Sequence, residues 1–452
     1  MHIIIEGAGE IGSHLAKMLS GAGSDVTVID QDASRLSRLN QSADVLTVSG
    51  RPSSLRILRQ AGVDKADLFI AVNPFTSQDV NLVSALLAKR LGCPKVCARI
   101  DDEEYLSYEN KYLFTEMGID LMFYPERIAS LEIADLLRRT AAADSTDFAR
   151  GKLQMAVFKL EEDSPLLDMK LAEFTAAVSN DEVQMRIVAI SRGNETIMPR
   201  FDTRFKYNDM VFIITRREGI APILSFLGKS EIAVRKVMVM GGTPIGSMLA
   251  ANLSAQGTKV KIMDQDRAVC QDLESLLPDN VSVVNGDGRN PDFLAEENIS
   301  DFDAFVAVTG NDEVNILSCV AARKLGIGRT VAEVENIEYI NLAEEMGVDA
   351  VINKKRLTAG KIFKMTMSSK VRLVKYMAGI DAEVIEYIVA PGSPITRGTL
   401  KELDFPENAV IGGVIRGNDA FIAVGSTRIE AYDRVAVFAL PDAVREVDRF
   451  FK

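Results

Sequence analysis

A glycine-rich loop near the amino terminus carries the residues whose types and spacing could do chemistry. It follows an apolar run and precedes a helical stretch, and its six residues are Gly7, Ala8, Gly9, Glu10, Ile11 and Gly12. In a GxGxxG loop the first glycine permits a tight turn, the second lets a pyrophosphate approach the backbone, and the third lets the helix pack against the strand. The helix N-terminus then offers free N–H groups and a positive dipole end to phosphate. The loop therefore predicts an occupied nucleotide site.

An acidic residue at the end of the second apolar run supports this interpretation. Asp30 lies where a carboxylate can accept both hydroxyls of an adenosine ribose, and Gln31 follows it. Asp32 comes next, and no arginine occurs before Arg35. Because a 2′-phosphate would meet acidic side chains here, we expect NAD(H) or an adenine nucleotide to be favoured over NADP.

A second loop has the same position in the second half of the chain but departs from the pattern. Gly241, Gly242 and Gly246 are present, whereas Thr243 replaces the second glycine of the motif and Pro244 removes an N–H donor. Asp264 is still available for a ribose. At the fifth strand of each half, Arg99 of the first copy is replaced by Glu333 in the second, which repels phosphate instead of neutralising it. We expect tight binding at the first site and weak, altered or absent binding at the second.

No catalytic constellation accompanies these loops. The chain has only two histidines, so a Ser–His–Asp arrangement or a histidine-built metal site is not expected. Lys170 and Tyr207 could be nominated as proton donors for hydride transfer, but nothing around them in the sequence favours that role. The four cysteines form no CxxC motif and are expected to be reduced, buried thiols of a cytoplasmic protein. A tandem Rossmann oxidoreductase stays open as the alternative class.

The elements that must position the loops occur twice along the chain. Gly7, Gly12 and Asp30 correspond to Gly241, Gly246 and Asp264 at a constant offset. Further blocks repeat in the same order, among them DVN and EVN, ALLAKRLG and CVAARKLG, and MGID and MGVD. So many ordered matches indicate an internal duplication.

Each copy divides into a large and a small part. The large part alternates short β-branched runs with helical stretches, which predicts a doubly wound parallel sheet, and the small part contains hairpin signals at Arg-Gly-Asn. The predicted fold class is α/β, with two Rossmann-like domains that are each followed by a small α+β domain. The predicted ranges are 1–124, a helical connector 125–146, 147–228, 233–353, a basic helical connector 354–378, and 379–452.

Charge and hydropathy bear on which partners the chain can bind and on whether it crosses a membrane. The net charge of −12 argues against a general nucleic-acid-binding surface. Within this acidic chain, residues 354–376 contain eight basic residues and no acidic one. They predict either a solvated helix paired with acidic neighbours or a docking surface for a partner or anionic lipid. The amino terminus lacks signal-peptide features, and the uncharged run from Val237 to Thr258 is interrupted by Gly and Pro, so we expect a strand, a turn and a helix there rather than a membrane span.

These blocks together resemble a known family. The GAGEIG loop, the strand that ends at Asp30, the LxxAGVDKADLFIAV block at 58–72, the DVN helix start and the Ala98-Arg99 pair resemble the RCK (KTN) nucleotide-binding domain. Two such domains, each followed by a small module similar to RCK-C, extend the resemblance over essentially the whole chain.

The resemblance implies a cytosolic regulatory subunit, not an enzyme, that lies peripherally on the inner face of the membrane. It implies a homotetrameric gating ring under an integral-membrane, potassium-translocating (TrkH-like) subunit, with NAD(H) and ATP or ADP as regulatory ligands. In the first site it implies that Asn73 and Pro74 flank the nucleoside and that Arg99 reaches the phosphates. Arg51 departs from the Gly-Asp that the family shows after the third strand. A regulator of another cation transporter, such as an antiporter, remains an alternative.

Overall fold

The computed structural model describes residues 1–74, 77–138, 144–148, 152–178, 184–193, 195–227, 234–366, 371–376 and 382–452. It divides into two compact units, one formed by Met1–Ile128 with Lys355–Thr366, the other by Ala129–Lys354 with Met367–Lys452. Both contain a parallel sheet with helices between its strands, as the alternating pattern predicts.

The first parallel sheet has the strand order β3-β2-β1-β4-β5-β6. Its strands are β1 His2–Glu6, β2 Asp25–Asp30, β3 Leu46–Ser49, β4 Leu68–Ala71, β5 Lys95–Arg99 and β6 Leu121–Phe123. The helices are α1 Glu10–Gly21, α2 Ala33–Asn40, α3 Leu55–Gln60, α4 Gln78–Arg90, α5 Tyr108–Met117 and α6 Pro125–Arg138. The strand order reverses between β1 and β4, and this switch point is where doubly wound sheets bind ligands.

The first antiparallel sheet follows, with the order β10-β9-β11-β8-β7. Its elements are β7 Asp144–Phe148, β8 Leu153–Lys159, α7 Leu171–Val178, β9 Met185–Arg192, β10 Glu195–Ile197, β11 Met210–Arg216 and α8 Ile220–Phe226. The predicted hairpin is confirmed, since β9 and β10 pair in antiparallel fashion.

The second parallel sheet repeats the first, with the order β14-β13-β12-β15-β16-β17. Its strands are β12 Lys236–Met240, β13 Lys259–Asp264, β14 Val281–Asn285, β15 Ala304–Ala307, β16 Arg329–Glu333 and β17 Ala350–Ile352. Its helices are α9 Pro244–Ala255, α10 Arg267–Leu276, α11 Pro291–Glu296, α12 Asp312–Lys324, α13 Tyr339–Glu345 and α14 Lys354–Thr366. The uncharged run is therefore a strand, a turn and a helix, as expected. Within the described residues, no helix combines the length and apolar character that crossing a membrane requires.

The second antiparallel sheet matches the first strand for strand, in the order β18-β19-β22-β20-β21. Its elements are β18 Val371–Tyr376, β19 Glu383–Ile388, β20 Ala409–Arg416, β21 Asp419–Ile422, β22 Arg434–Ala439 and α15 Val444–Phe450. The two antiparallel sheets share one hydrophobic core, in which Phe212 and Phe438 have ring centroids 6.3 Å apart.

Both predicted connectors are wrong at their carboxyl ends. Helix α6 ends at Arg138, and residues Asp144–Phe148 form β7, which pairs with β8. Helix α14 ends at Thr366, and Val371–Tyr376 forms β18, which pairs with β19. The segment Val-Arg-Leu-Val-Lys-Tyr contains two valines and a tyrosine, residues that strands favour, and the run of positive charge obscured this signal.

Candidate functional site

Two glycines of the first loop are required by the packing of the chain itself. Gly7 ends β1 with φ +102°, a left-handed conformation that favours glycine, and its N–H donates to the Ile29 carbonyl over 2.8 Å. A Cβ on Gly12 would lie 1.8 Å from the Gly7 carbonyl oxygen. These residues therefore hold β1 and α1 at the close approach that the loop needs.

The second glycine of the motif, Gly9, is not required by packing. Gly9 caps α1 with φ −70° and ψ −171°, a conformation open to any residue, and no side chain caps the helix there. The nearest atom to a Cβ on Gly9 would be Pro74 Cδ at 3.9 Å. The loop thus leaves open space in front of a helix N-terminus, and this cradle fits the phosphates of a nucleotide.

Asp30 holds the loop against the end of β2. Its two carboxylate oxygens accept the N–H groups of Ala8 at 2.6 Å and of Asp32 at 2.8 Å. Each oxygen keeps a second lone pair, so the carboxylate can also accept ribose hydroxyls. Arg35 lies 4.0 Å from Asp30 and 3.5 Å from Asp32, which moderates the negative charge at this corner.

The structure places Asn73 and Pro74 beside the first loop, near Gly7 and Gly9; that they flank a nucleoside stays a prediction. Asn73 would lie 3.0 Å from a Cβ on Gly7. Gln31 and Arg51 are exposed and follow β2 and β3. Their contribution to a nucleotide site stays a prediction.

Arg99 is held by acids rather than directed into open space. Its Nε lies 3.1 Å from Asp101 Oδ1 and its Nη2 lies 3.3 Å from Glu126 Oε1, and the side chain is buried. A phosphate ligand would have to compete with these carboxylates for the guanidinium. The predicted phosphate contact of Arg99 therefore depends on a rearrangement upon binding.

A buried asparagine explains the repeated DVN block and was missed as a site residue. Asn81 accepts the Asn73 N–H at 3.0 Å and donates to the Asn73 and Arg99 carbonyls at 3.2 and 3.1 Å. It thereby joins the loops after β4 and β5, and the first of these lies at the switch point. Asn315 makes the same three bonds in the second copy, to the Thr309 N–H and to the Thr309 and Glu333 carbonyls, at 2.8 to 3.0 Å. It also accepts a fourth bond from the Thr309 hydroxyl at 2.6 Å.

A buried carboxyl group at the end of β1 was also missed. Glu6 is fully buried and accepts hydrogen bonds from Asn73 Nδ2 at 2.5 Å and from the Ser84 hydroxyl. Burial raises the pKa of Glu6 to about 8, and the nearby Asp30 adds to the rise, whereas the two hydrogen bonds oppose it. The signal in the sequence was an acidic residue closing an otherwise apolar strand; the second copy has Met240 there.

The second loop has the same backbone turn but a different surface. Gly241 has φ +114°, and Asp264 accepts the N–H groups of Gly242 and Asp266 at 2.7 and 2.9 Å. Thr243 fills the place of Gly9: its hydroxyl donates to the Val308 carbonyl at 2.8 Å and accepts from the Gly246 N–H at 3.3 Å. The chain therefore caps this helix itself, where the first loop leaves the position open.

The second connector helix brings its first lysines to acidic partners. Lys354 lies 3.7 Å from buried Glu333 and also pairs with Glu335, and Lys355 lies 2.9 Å from Glu10. At the start of α14 these contacts favour the interpretation of a helix paired with acidic neighbours. Of the segment 354–376, Lys370 and the side chains of Lys364, Arg372 and Lys375 lie outside the described residues.

All four cysteines are buried and free, and burial raises the pKa of the Cys93 thiol to about 11. No cluster of three or more His, Cys, Asp or Glu side chains that could hold a metal ion occurs among the described residues.

Domain comparisons agree with this architecture. The TrkA-N domain matches residues 3–125 and 237–354, and the TrkA-C domain matches residues 155–228 and 384–452. The fold and the paired loops thus define a tandem of TrkA-N and TrkA-C domains. The chain belongs to the TrkA family, and the resemblance and fold class predicted from its residues are confirmed. This family is one of regulatory subunits rather than enzymes.

Full-length relatives share the whole arrangement. A Trk system potassium uptake protein TrkA homolog from Archaeoglobus fulgidus is 31% identical over 454 residues, covering 100% of both chains. The Trk system potassium uptake protein TrkA of Halomonas elongata is 32% identical over 457 residues, covering 100% of this chain and 99% of the relative.

Solved structures with the same fold are more distant in sequence. The GsuK RCK domain has a TM-score of 0.60 and 18% identity, covering 100% of this chain and 94% of that one. A GsuK channel bound to NAD has the same TM-score and identity and covers 100% and 78%. At this identity the likeness shows a shared fold.

Proposed function

We propose that the chain is the nucleotide-binding regulatory subunit of a Trk-type potassium uptake system. Its first Gly-rich loop binds NAD(H) or ATP/ADP, and the bound ligand controls a TrkH-like integral-membrane subunit. The chain acts as a homotetrameric ring in the cytoplasm, peripheral to the inner face of the membrane. The names of the full-length relatives support the potassium system, and GsuK structures bound to NAD and to ADP support the ligand class.

The open position at Gly9 is the observation that carries the nucleotide assignment. Neither the backbone conformation of Gly9 nor its neighbouring atoms require a glycine there. Gly7, in contrast, is required by its left-handed backbone and by the nearby Asn73, and Gly12 by the nearby Gly7 carbonyl. The open space at Gly9 lies in front of free helix N–H groups and beside Asp30. A pyrophosphate needs space at this position.

Control would follow from linkage. A nucleotide shifts the balance between two arrangements of the ring only by the difference in its affinity for them. Couplings of this kind are about 1–3 kcal/mol, so activating and inhibiting ligands need differ only modestly in their contacts.

Transplanting the second loop's residue into the first tests the assignment. Gly9→Thr should keep the thermal midpoint of the wild type, because nothing lies within 3.9 Å of the new Cβ, yet weaken NADH and ADP binding at least about tenfold in calorimetry. Thr243→Ser, which keeps the capping hydroxyl, is the matched control and should leave binding unchanged. Wild-type affinity in the Gly9→Thr protein would contradict the proposal.

The two aspartates test the inequality of the sites. Asp30→Ala should abolish nucleotide binding, whereas Asp264→Ala should leave the tight site intact. Loss of the same number of bound nucleotides in both variants would show instead that the sites are equivalent.

The transport role needs a cellular test. Cells lacking the gene should recover potassium uptake with the wild-type gene and not with Gly9→Thr, and the protein should co-purify with its membrane subunit. Restored potassium efflux instead of uptake would indicate a different transporter. Steady NADH oxidation with carbonyl substrates would indicate an oxidoreductase.

A further inference from the structure

A cleft of about 300 Å³ lies beside the first Gly-rich loop, between α1 and α2. One end is formed by Ala8 and Gly9 of the loop, and its walls include Lys17 of α1 and Arg35 and Arg38 of α2. Arg35 and Arg38 are three residues apart, so they lie on one face of α2. Three cations thus line a space that is bounded at the loop by Ala8, whose N–H donates to Asp30, the predicted ribose partner.

The positive charges of this cleft are only partly neutralised. Arg35 is paired with Asp30 and Asp32 at 4.0 and 3.5 Å. In the part of the chain that the structure describes, no carboxylate lies within 4 Å of the charged ends of Lys17 or Arg38. The acidic lining residue, Glu10, is itself paired with Lys355 at 2.9 Å.

The duplicated domain shows that the fold does not require these cations. The residues corresponding to Lys17, Arg35 and Arg38 in the second copy are Ala251, Val269 and Asp272. There a Cβ on Gly242 would lie 2.4 Å from Val269 Cγ1, so the corresponding corner is occupied by apolar side chains. A sheet and helices of the same topology form with the three cations of the first copy and with the three residues that replace them in the second. The charges of the first copy therefore point to a ligand.

We propose that this cleft is a phosphate subsite, which accepts a phosphomonoester carried by the nucleotide in addition to its pyrophosphate. Its position next to Asp30 and Ala8 fits the 2′-phosphate of NADP(H); a terminal phosphate of a nucleoside polyphosphate has the same chemistry. This inference rests on the proposed nucleotide site and adds NADP(H) to the ligands proposed for it. It reverses the preference for NAD(H) over NADP that Asp30 and Asp32 predict, because that expectation took no account of cations contributed by α1 and the far end of α2.

Paired calorimetric titrations of the full-length protein test the subsite. Wild type should bind NADPH at least as tightly as NADH. The double variant Lys17→Gln/Arg38→Gln should bind NADPH roughly tenfold more weakly while its NADH affinity changes less than about threefold, because only the former carries the extra phosphate. Both side chains are exposed, so the thermal midpoint should be unchanged. Arg59→Gln, which removes an exposed cation from α3, is the control for general electrostatics.

The other outcomes distinguish the two possible sources of the phosphate, and they distinguish failure of the subsite from failure of the nucleotide site. A selective loss for ATP relative to ADP, with NADPH unaffected, would assign the subsite to a terminal phosphate. Equal losses for all four nucleotides, or no loss for any, would overturn the subsite. If NADH binds the wild type and responds to Gly9→Thr in that case, the proposed nucleotide site stands without it.

Discussion

The two Gly-rich loops share a backbone and differ in what they leave for a ligand. Both turn through a left-handed glycine, and both are tied by an aspartate to the end of the second strand. In the first copy the helix cap is Gly9 and the neighbouring cleft is cationic; in the second the cap is Thr243 and the corner holds Val269. The difference shows which residues a Rossmann-like domain needs in order to fold and which it can vary.

The largest effect should come from the glycine that both copies need. In Gly12→Ala the new Cβ would lie 1.8 Å from a backbone carbonyl, and in Gly246→Ala 2.1 Å, so α1 or α9 must move. We expect each variant to lose about 3 kcal/mol of unfolding free energy. Thermal and denaturant unfolding would check this. An unchanged Gly12→Ala protein would mean that this glycine, like Gly9, serves a ligand.

The buried asparagines should sharpen the comparison. Asn81→Ala removes three hydrogen bonds and Asn315→Ala removes four. Both leave buried backbone groups without partners, at a cost of about 2 kcal/mol in stability. Stability should fall alike in both variants. Nucleotide affinity, measured by calorimetry, should fall only in Asn81→Ala, because only that residue positions Asn73 at the open loop. Equal losses of affinity would argue for two functional sites.

A loss of stability between about pH 4.5 and 8 should arise from Glu6, which the second copy replaces with Met240. Because burial raises the pKa of Glu6 to about 8, the folded protein retains a proton between about pH 4.5 and 8 that the unfolded chain has released. The group's stabilising contribution is complete below pH 4.5 and is lost as pH rises through 8, by up to about 1.4 kcal/mol per pH unit. Glu6→Gln should flatten this slope in unfolding measured from pH 5 to 9. A slope identical to that of the wild type would exclude Glu6 as its source.

The smallest effect should come from the ion pair between Glu10 and Lys355. Glu10 is 63% exposed, so the pair is screened by solvent and should couple by less than about 1 kcal/mol. A double-mutant cycle with Glu10→Gln and Lys355→Gln isolates this coupling from the other contacts of the lysine. The second copy has Pro244 in place of Glu10, which leaves that helix without the pair. A coupling of several kcal/mol would show that solvent does not screen it.

Local patterns predicted the sheets and the position of Asp30 at the end of β2, because a strand's period and a loop's glycines are properties of adjacent residues. The Arg-Gly-Asn hairpin was predictable for the same reason. The role of Asn81 was not, since it depends on two loops that meet only after β4 and β5 pair. The cationic cleft was not predictable either: Lys17 and Arg38 belong to different helices, and packing alone brings them together.

The two antiparallel sheets belong to different sequence repeats but share one hydrophobic core, so a single repeat is not expected to be a stable folding unit. Gly412 lies so close to Ile214 that a Cβ would come within 2.1 Å of its Cδ1, and Arg186 donates to the Ala423 carbonyl across the same junction at 2.6 Å. A chain cut between its two sequence repeats would leave Leu153, Phe212 and Phe438 facing water on the separated halves. Each half of this duplicated protein thus covers apolar residues of the other, and neither half is expected to stay soluble as a separate monomer.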